Sequence, residues 1–284
     1  MDQIYHIGVL FADQAQNGLT HDYFAGIING FKKNMEEAGH NIVFLNCCPS
    51  VHNNETLLMQ SRRLKLNGIL ISCIEYEDPQ VVELLESGIP LITVDEEIPG
   101  IPAVKSDNIK GIQKLVHYIA EMGHKKIAYI LGDSNTVTSI RLKSFYEACD
   151  EMGIQIPDTY IRHSKYRDME KAAYETEQLL RLKNPPTCIL YPDDFAAIGG
   201  INILHARGLD IPQDISVAGY DGIRILSQYE PRLTTVCQDT EEIGRQAAQR
   251  LLEEITATES CDPATIVVDT VLEPGRTVGQ VYEY

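Results

Sequence analysis

The 284-residue sequence lacks the features of membrane, exported and metal-binding proteins. No apolar run is long enough to span a membrane, and the first residues form neither a basic segment before an apolar stretch nor a small-residue cleavage site. The seven cysteines are odd in number and show no CxxC spacing, although Cys47 and Cys48 are adjacent. We therefore predict a cytoplasmic protein with reduced cysteines and without a disulfide framework, a metal site or a membrane partner.

Positive charge is also scarce. Lys and Arg number 24 against 41 Asp and Glu, which gives a net charge of −17. The longest basic clusters are pairs, at Lys32-Lys33, Arg62-Arg63 and Lys125-Lys126. A nucleic-acid surface needs phosphate-neutralising side chains gathered on one face. We therefore predict that this chain by itself does not hold DNA or RNA tightly.

The motifs of several large enzyme classes are missing as well. GxSxG, GxxxxGK[ST], GxGxxG and HExxH do not occur in the sequence. Two carboxylates, Asp193 and Asp221, could imitate the acid pair of a glycosidase, and this is the enzyme hypothesis that remains. We predict a protein that is not an enzyme.

What the sequence does contain is an alternation of strands and helices, which indicates parallel sheets. The clearest case is a buried strand at 188–191, a helix capped by Asp194, and a second strand at 215–220. Asp193 follows the first of these strands and Asp221 follows the second. Because ligands bind outside the carboxyl ends of parallel strands, the two acids mark a candidate binding edge.

The alternation runs twice, over about 120 and then about 110 residues, and each run has an ordinary domain size. The helix at 239–255 is too short to be a domain, so we return it to the first sheet and the last strands to the second. The predicted lobes are 1–122 plus 239–263 (N-terminal) and 123–238 plus 264–284 (C-terminal). The predicted fold class is α/β, with two doubly wound parallel-sheet lobes, a hinge of three crossings near 121–124, 236–240 and 262–266, and a ligand cleft between the lobes.

Eight short motifs carry a resemblance to a known family. They are Ile7-Gly8-Val9-Leu10, Asn67-Gly68-Ile69-Leu70, Gly88-Ile89-Pro90-Leu91, Ser106-Asp107-Asn108, MGHKKIA at 122–128, RLKSF at 141–145, PQDISVAGYD at 212–221 and PRLTTV at 231–236. In this order and spacing, the chain resembles the effector-binding core of LacI/GalR-type bacterial transcription regulators over essentially its whole length. The resemblance implies the type I periplasmic-binding-protein fold.

The resemblance also implies a function. A small metabolite, usually a sugar, binds in the interlobe cleft of a homodimeric repressor-type regulator, and closure changes the affinity for operator DNA. The family reads DNA through an N-terminal helix-turn-helix headpiece. We find no headpiece in this sequence and expect a core trimmed of it, for which operator DNA is a partner only through the absent headpiece. No cofactor is expected beyond the effector, and the alternative is an extracytoplasmic sugar-binding protein of an ABC transporter.

Position in the family motifs implies the ligand contacts of the C-terminal lobe. Arg141 could fork two hydrogen bonds to vicinal hydroxyls or a carboxylate from the first turn of its helix, and Asp221 could accept from two sugar hydroxyls. Asp193 stands where the family usually has Asn, so it could contact the ligand, pair with Arg141 or be a plain turn residue. Gln238 is either a hinge residue or a ligand residue, and Tyr166 is the candidate aromatic wall.

The N-terminal lobe offers a less certain set, because its loop at 13–20 is longer than the family's usual one. The candidates are Asp13, Tyr23 and Phe24 near that loop, and Ser72, Glu75 and Asp95 after strands. An aromatic ring could stack on a sugar face, although helical spacing favours a core role for Phe24. The charged candidates of both lobes together suit a polyhydroxylated ligand better than an apolar one.

Overall fold

The computed structural model describes residues 3–11, 18–46, 55–73, 77–224, 230–257 and 262–281. The chain divides into two compact units, each built from separate stretches of sequence. Unit 1 contains Met1–Ser106 and Asp239–Val268, and unit 2 contains Asp107–Gln238 and Asp269–Tyr284. Both units are α/β with parallel sheets, which confirms the predicted fold class.

Unit 1 is built on a six-stranded parallel sheet with the order β11-β5-β4-β3-β1-β2. Its strands are β1 (His6–Phe11), β2 (Asn41–Phe44), β3 (Gly68–Ser72), β4 (Leu91–Val94), β5 (Ala103–Ser106) and β11 (Thr265–Val268). Strands β3 and β4 are buried along their whole length, as their continuous apolar sequences indicate. Strand β5 was not predicted from the sequence, because four residues with a lysine among them show no clear alternation of apolar and polar side chains.

The helices of unit 1 are α1 (Asp22–Glu37), α2 (Leu57–Arg63), α3 (Pro79–Leu85) and α8 (Thr240–Thr256). Helix α8 packs directly against α1, where a Cβ added at Gly30 would lie 2.6 Å from the carbonyl oxygen of Glu241. The buried face of α8, with Ile243 and Leu251, shares a core with Phe31 of α1. This packing explains why α8 belongs to unit 1 although it follows unit 2 along the chain.

Unit 2 has a four-stranded parallel sheet, β7-β6-β8-β9, and a separate antiparallel pair, β10-β12. The strands are β6 (Ile127–Leu131), β7 (Ile161–His163), β8 (Cys188–Leu190), β9 (Ser216–Ala218), β10 (Thr235–Gln238) and β12 (Thr270–Glu273). The helices are α4 (Asn108–Glu121), α5 (Thr136–Glu151), α6 (Met169–Leu180) and α7 (Asp194–Ala206). No helix in the described part of either unit is long and apolar enough to cross a membrane.

Two elements lie in the other unit from the one predicted. Helix α4, assigned to the N-terminal lobe, packs its apolar face with Ile112 and Val116 into the unit 2 core beside Phe145. Strand β11, assigned to the C-terminal lobe, pairs in parallel with β5 of unit 1. The crossings predicted near 121–124 and 262–266 are therefore at 106–107 and 268–269. An amphipathic element between two sheets can pack on either one, so alternation alone does not assign it.

Candidate functional site

Arg141 lies in the second turn of α5, one turn later than predicted. The helix begins at Thr136, because the side chain of Asn135 caps it by accepting a hydrogen bond from the backbone N–H of Thr138 at 2.8 Å. This start places Arg141 on the inward face, where its side chain is only 4% exposed. The helix thus carries a guanidinium group to the carboxyl ends of the unit 2 strands.

The Arg141 guanidinium is held by neutral partners. Its Nε donates to Asn108 Oδ1 at 2.7 Å, and Nη1 donates to the carbonyl oxygen of Pro192, just beyond β8, at 3.1 Å. Its Cζ lies 3.7 Å from the centroid of the Tyr220 ring, in a cation–π arrangement. Among the described residues, no carboxylate forms an ion pair with Arg141. Burial opposes the charged form of Arg141, but Coulombic interactions with neighbouring groups, Asp221 among them, raise its pKa. The two hydrogen bonds leave further N–H groups of the guanidinium for another acceptor.

Asp221 lies beyond β9, which pairs with β8 in the unit 2 sheet. Its backbone has φ 104°, a conformation that L-residues rarely adopt. Its N–H donates to the carbonyl oxygen of Val236 at 2.9 Å, and its Oδ1 accepts from Gln238 Nε2 at 2.7 Å. The side chain is half-buried. Gln238, 8% exposed, therefore contacts the predicted ligand residue Asp221 directly.

Asp193 is the N-cap of α7, a position that the sequence analysis gave to Asp194. Its Oδ1 accepts from the N–H of Ala196 at 2.8 Å, and its Oδ2 accepts from the N–H of Arg167 at 2.7 Å. The side chain is 1% exposed, and burial raises its pKa above the ordinary value although these backbone bonds oppose the shift. No ion pair joins Asp193 to Arg141 within the described parts of unit 2. The structure thus favours the turn-residue alternative in the form of a helix cap.

Asp194 was not among the predicted site residues, yet it is completely buried beneath them. Its Oδ1 accepts from Thr235 Oγ1 at 2.6 Å, and its Oδ2 accepts from the N–H of Ile223 at 2.8 Å. Burial, with smaller contributions from Asp221 and Asp193, raises its pKa well above the ordinary value of 3.8. The signal available in the sequence was the second acid of the Asp193-Asp194 pair directly after a buried strand.

Tyr166 forms an aromatic wall at the end of β6. Its ring lies so close to Gly132 that an added Cβ there would meet ring atoms at 2.6 Å. Its hydroxyl group shares a hydrogen bond with Thr138 Oγ1 at 2.9 Å, and its N–H donates to Asp133 Oδ2 at 2.9 Å. These contacts fix the ring, half-buried, at the same strand-end edge as Arg141. We call the group Arg141, Tyr166, Asp193, Asp194 and Asp221 the unit 2 edge.

The described residues at the strand ends of unit 1 and in the first turn of α1 include aromatic side chains and the Asp95 carboxylate. Tyr23, 8% exposed, donates from its hydroxyl group to Asp95 Oδ1 at 2.8 Å. The Phe24 ring lies 5.5 Å from Phe11 and 5.1 Å from Tyr23, measured between ring centroids. Phe24 is therefore partly buried in an aromatic cluster. We call Phe11, Tyr23, Phe24, Ser72 and Asp95 the unit 1 edge.

The remaining unit 1 candidates differ in their surroundings. Ser72 at the end of β3 is fully buried, and its hydroxyl group has no hydrogen-bond partner within the described residues. Asp13 and Glu75 lie outside the described residues. Thus the structure gives a clear environment to four of the six unit 1 candidates, Tyr23, Phe24, Ser72 and Asp95.

Backbone conformation also marks these edges. Five non-glycine residues among those described have positive φ. Cys73 and Asp95 directly follow β3 and β4, and Asp221 lies three residues beyond the end of β9. Arg167, beside Tyr166, is a fourth. Such conformations gather at functional sites, where the surrounding structure holds them. The edges offer hydrogen-bond donors, acceptors and aromatic faces, whereas no metal-binding cluster of three or more His, Cys, Asp or Glu side chains occurs among the described residues.

Comparisons with known proteins agree with this architecture. The periplasmic binding protein-like domain family matches residues 116–278. The probable HTH-type transcriptional repressor ExuR of Bacillus subtilis is 31% identical over 264 residues, covering 92% of this chain and 77% of the relative. The HTH-type transcriptional repressor PurR of Escherichia coli is 28% identical over 261 residues, covering 90% and 76%.

Solved structures share the fold. The transcriptional regulator CelR, in complex with cellobiose, superposes with a TM-score of 0.82 at 23% identity, over 96% of this chain and 84% of that one. A LacI family transcriptional regulator from Enterococcus faecium with bound ribose has a TM-score of 0.80 at 22% identity, over 98% and 100%. At 22–23% identity, these structural similarities show only a shared fold. Family membership is shown by the sequence relatives.

Proposed function

The chain belongs to the LacI family of transcription regulators, and on that premise we propose that its unit 2 edge binds a small polyhydroxylated metabolite, a sugar in the first instance. The chain is the ligand-sensing core of such a regulator. In our proposal Arg141 and Asp221 make the directional contacts to the ligand. Tyr166 supplies an aromatic face.

The observation that carries the proposal is the environment of Arg141. A guanidinium group has five N–H donors, and here two of its nitrogens bond to uncharged oxygens while one face rests on Tyr220. The remaining donors have no acceptor among the described residues. Two adjacent donors on a rigid planar group match the spacing of vicinal hydroxyl oxygens. A ligand hydroxyl pair would complete the hydrogen bonding of Arg141.

Asp221 and the aromatic rings favour a carbohydrate over an apolar ligand. A carboxylate accepts hydrogen bonds from ligand hydroxyl groups, and the Tyr166 ring can face the C–H surface of a sugar. The cellobiose and ribose seen in the two structural neighbours support the same ligand class. No metal or cofactor takes part in this proposal.

Catalysis forms no part of the proposed function. A glycosidase needs one carboxyl group free to protonate the glycosidic oxygen and a second to act as base or nucleophile. Both oxygens of Asp193 already accept backbone hydrogen bonds, and its side chain is 1% exposed, which leaves Asp221 without an acid partner from this pair. The transport alternative has less support, because the sequence relatives are named as transcriptional repressors.

A thermal-shift screen tests the proposal. The panel contains pentoses including ribose, hexoses, disaccharides including cellobiose, sugar acids, sugar phosphates, polyols and purines. A ligand at a hundred times its Kd adds roughly 2.7 kcal/mol to the free energy of unfolding, which is a measurable rise in Tm. We expect a carbohydrate to raise Tm, and Arg141→Ala and Asp221→Ala to abolish the rise while the apo chain stays folded. An undiminished rise in both variants, or a rise with purines alone, would contradict the proposal.

Assembly is part of the same proposal. We expect the core to form a homodimer and to act on operator DNA through a helix-turn-helix segment, as in the family. Sedimentation equilibrium of the chain with and without the sugar that raises Tm measures the first expectation. A monomer at all concentrations up to about 100 μM would contradict it, since an affinity weaker than that leaves little dimer in solution.

A further inference from the structure

We infer that Asp194 is a positioning residue for the ligand-binding site: its buried carboxyl group fixes the turn that presents Asp221. The effect on ligand binding rests on the proposed function. The stability of the turn can be measured by amide hydrogen exchange without any ligand. Asp194 is fully buried, so within the unit 2 edge it acts through Asp221 and not by contact with the ligand.

The two oxygens of Asp194 bind two different segments. Oδ2 accepts from the backbone N–H of Ile223 at 2.8 Å, two residues beyond Asp221. Oδ1 accepts from Thr235 Oγ1 at 2.6 Å, and Thr235 begins β10. Since Asp194 is the first residue of α7, a single carboxyl group connects this helix to the turn after β9 and to β10. Both of its oxygens are occupied by these bonds.

The turn that Asp194 holds is conformationally unusual. Asp221 has φ 104° and Gly222 has φ 69°, so two consecutive residues lie outside the right-handed region. A non-glycine residue keeps such a backbone only where its surroundings fix it. On one side, Asp221 is bonded to β10 through its N–H to Val236 and through Gln238 Nε2. On the other side, the bond from Ile223 to Asp194 closes the turn.

Charge does not explain why a carboxyl group occupies this position. The charged groups that act on Asp194 are Asp221 and Asp193, both acids, and no cation forms an ion pair with it in the described part of the chain. Burying an acid beside two acids is unfavourable unless its oxygens make strong hydrogen bonds. The backbone N–H of Ile223 and the hydroxyl group of Thr235 supply them. The geometry therefore points to an acceptor role, which an uncharged amide can partly replace.

Amide hydrogen exchange of the apo chain, followed residue by residue by NMR, tests the inference. The readout is the exchange rate of the Ile223 N–H divided by that of the Val217 N–H, a core amide of β9 bonded to the carbonyl oxygen of Thr277 at 2.8 Å. We compare the unvaried chain with Asp194→Ala and Asp194→Asn. Loss of the acceptor in Asp194→Ala is expected to raise the ratio about tenfold or more, and Asp194→Asn is expected to stay within about threefold, because its amide oxygen can still accept.

Two threonine variants control for the loss of a buried group. Thr235→Val removes the hydroxyl donor to Asp194 and is expected to raise the ratio about threefold. Thr176→Val removes an equally buried hydroxyl group of unit 2 that bonds to Ala172 and Tyr191, and the ratio should not change. If Asp194→Ala does not fold, Thr235→Val and Asp194→Asn decide the question. The inference is overturned if the exchange ratio of Asp194→Ala is unchanged. If Asp194→Ala cannot be made, an unchanged ratio in Thr235→Val overturns it. An exchange ratio in Asp194→Asn as high as that in Asp194→Ala overturns it as well.

Titration with ribose and with cellobiose then separates the inference from the proposed function. If the unvaried chain binds either sugar, Asp194→Ala should weaken binding about tenfold and Asp194→Asn by less than about threefold, in the same order as the exchange ratios. Unchanged binding in Asp194→Ala would contradict a positioning role. If the unvaried chain binds neither sugar, these two sugars are excluded as its ligands, and the exchange ratios alone decide whether Asp194 fixes the turn.

Discussion

The unit 2 edge and the unit 1 edge occupy equivalent places in two parallel sheets, yet their side chains are held in different ways. In unit 2, Arg141, Asp193 and Asp194 are at most 4% exposed, and each makes two hydrogen bonds, of which only that between Asp193 and Ala196 is local. In unit 1, the described part of the edge is mainly aromatic, and Tyr23 donates a hydrogen bond to Asp95. One edge is a preorganised polar network, and the other is an aromatic cluster.

From this difference we propose that the unit 2 edge contributes more to ligand binding than the unit 1 edge. A buried group that is already held in place, as Arg141 is, gives strong and directional contacts through its remaining donors, because it loses little freedom when the ligand binds. Aromatic clusters give contact area with less dependence on angle. If this comparison is right, substitutions at the unit 2 edge should weaken binding much more than substitutions at the unit 1 edge.

The largest expected effect is that of Arg141→Ala. The variant loses charge-assisted hydrogen bonds to the ligand, and we expect binding of the identified sugar to weaken about a hundredfold. Calorimetric titration measures it. The control is Arg181→Ala, which removes a 65% exposed arginine of the same unit that pairs with Glu177 on α6, and should leave Kd unchanged. Equal losses in the two variants would mean that Arg141 has no special role.

Gly132→Ala should have the next largest effect. The new Cβ would meet the Tyr166 ring at 2.6 Å, so the ring must move from the place where Thr138 and Asp133 hold it. We expect about tenfold weaker binding with a small loss of stability. Gly153→Ala is not a suitable control, because Gly153 has a positive φ. The control is Tyr166→Phe, which removes the hydrogen bond to Thr138 and keeps the ring. Binding by Tyr166→Phe as weak as that by Gly132→Ala would show that the hydroxyl group, and not ring position, matters.

A smaller effect is expected in unit 1, from Tyr23→Phe. The substitution removes the hydrogen bond to Asp95 but keeps the ring in contact with Phe24. Because the proposed contribution of this edge is aromatic, Kd should change by less than about threefold. A change as large as that of Arg141→Ala would remove the distinction between the two edges.

The smallest effect is a pH dependence that belongs to unit 2. Folding raises the pKa of Asp194 above 3.8, chiefly through burial, so the folded state holds the proton more tightly than the unfolded state. The stability contributed by the protonated group is therefore present below the ordinary pKa and is lost as the pH rises through the raised value. Asn cannot titrate, so Tm of Asp194→Asn minus Tm of the unvaried chain should increase from about pH 4 to about pH 7. A difference that stays constant or falls would contradict the assignment.

Much of this architecture could be predicted from the sequence. Strands such as β3 and β8 could be predicted because they are continuous apolar runs. The positions of Arg141 and Asp221 near strand ends could be predicted because both residues lie in motifs that the family shares. The family resemblance was confirmed by the sequence relatives. The ligand roles of Arg141 and Asp221 remain predictions.

The parts that the sequence did not predict depend on contacts between distant segments. Helix α4 and strand β11 were placed in the wrong unit, because their own periodicity is compatible with either sheet. The roles of Asp193 and Asp194 were shifted by one residue, since two adjacent acids before a helix are equally good caps. The burial of Asp194 depends on Thr235, 41 positions away, and local sequence carries no sign of that bond.

The central claim is that a sugar binds at the unit 2 edge through Arg141 and Asp221. The most direct measurement is a crystal structure of the chain with the carbohydrate that raises Tm most in the screen. We predict electron density for the sugar with hydroxyl groups within hydrogen-bond distance of the Arg141 guanidinium and of the Asp221 carboxylate. Sugar density that contacts neither side chain would contradict the account.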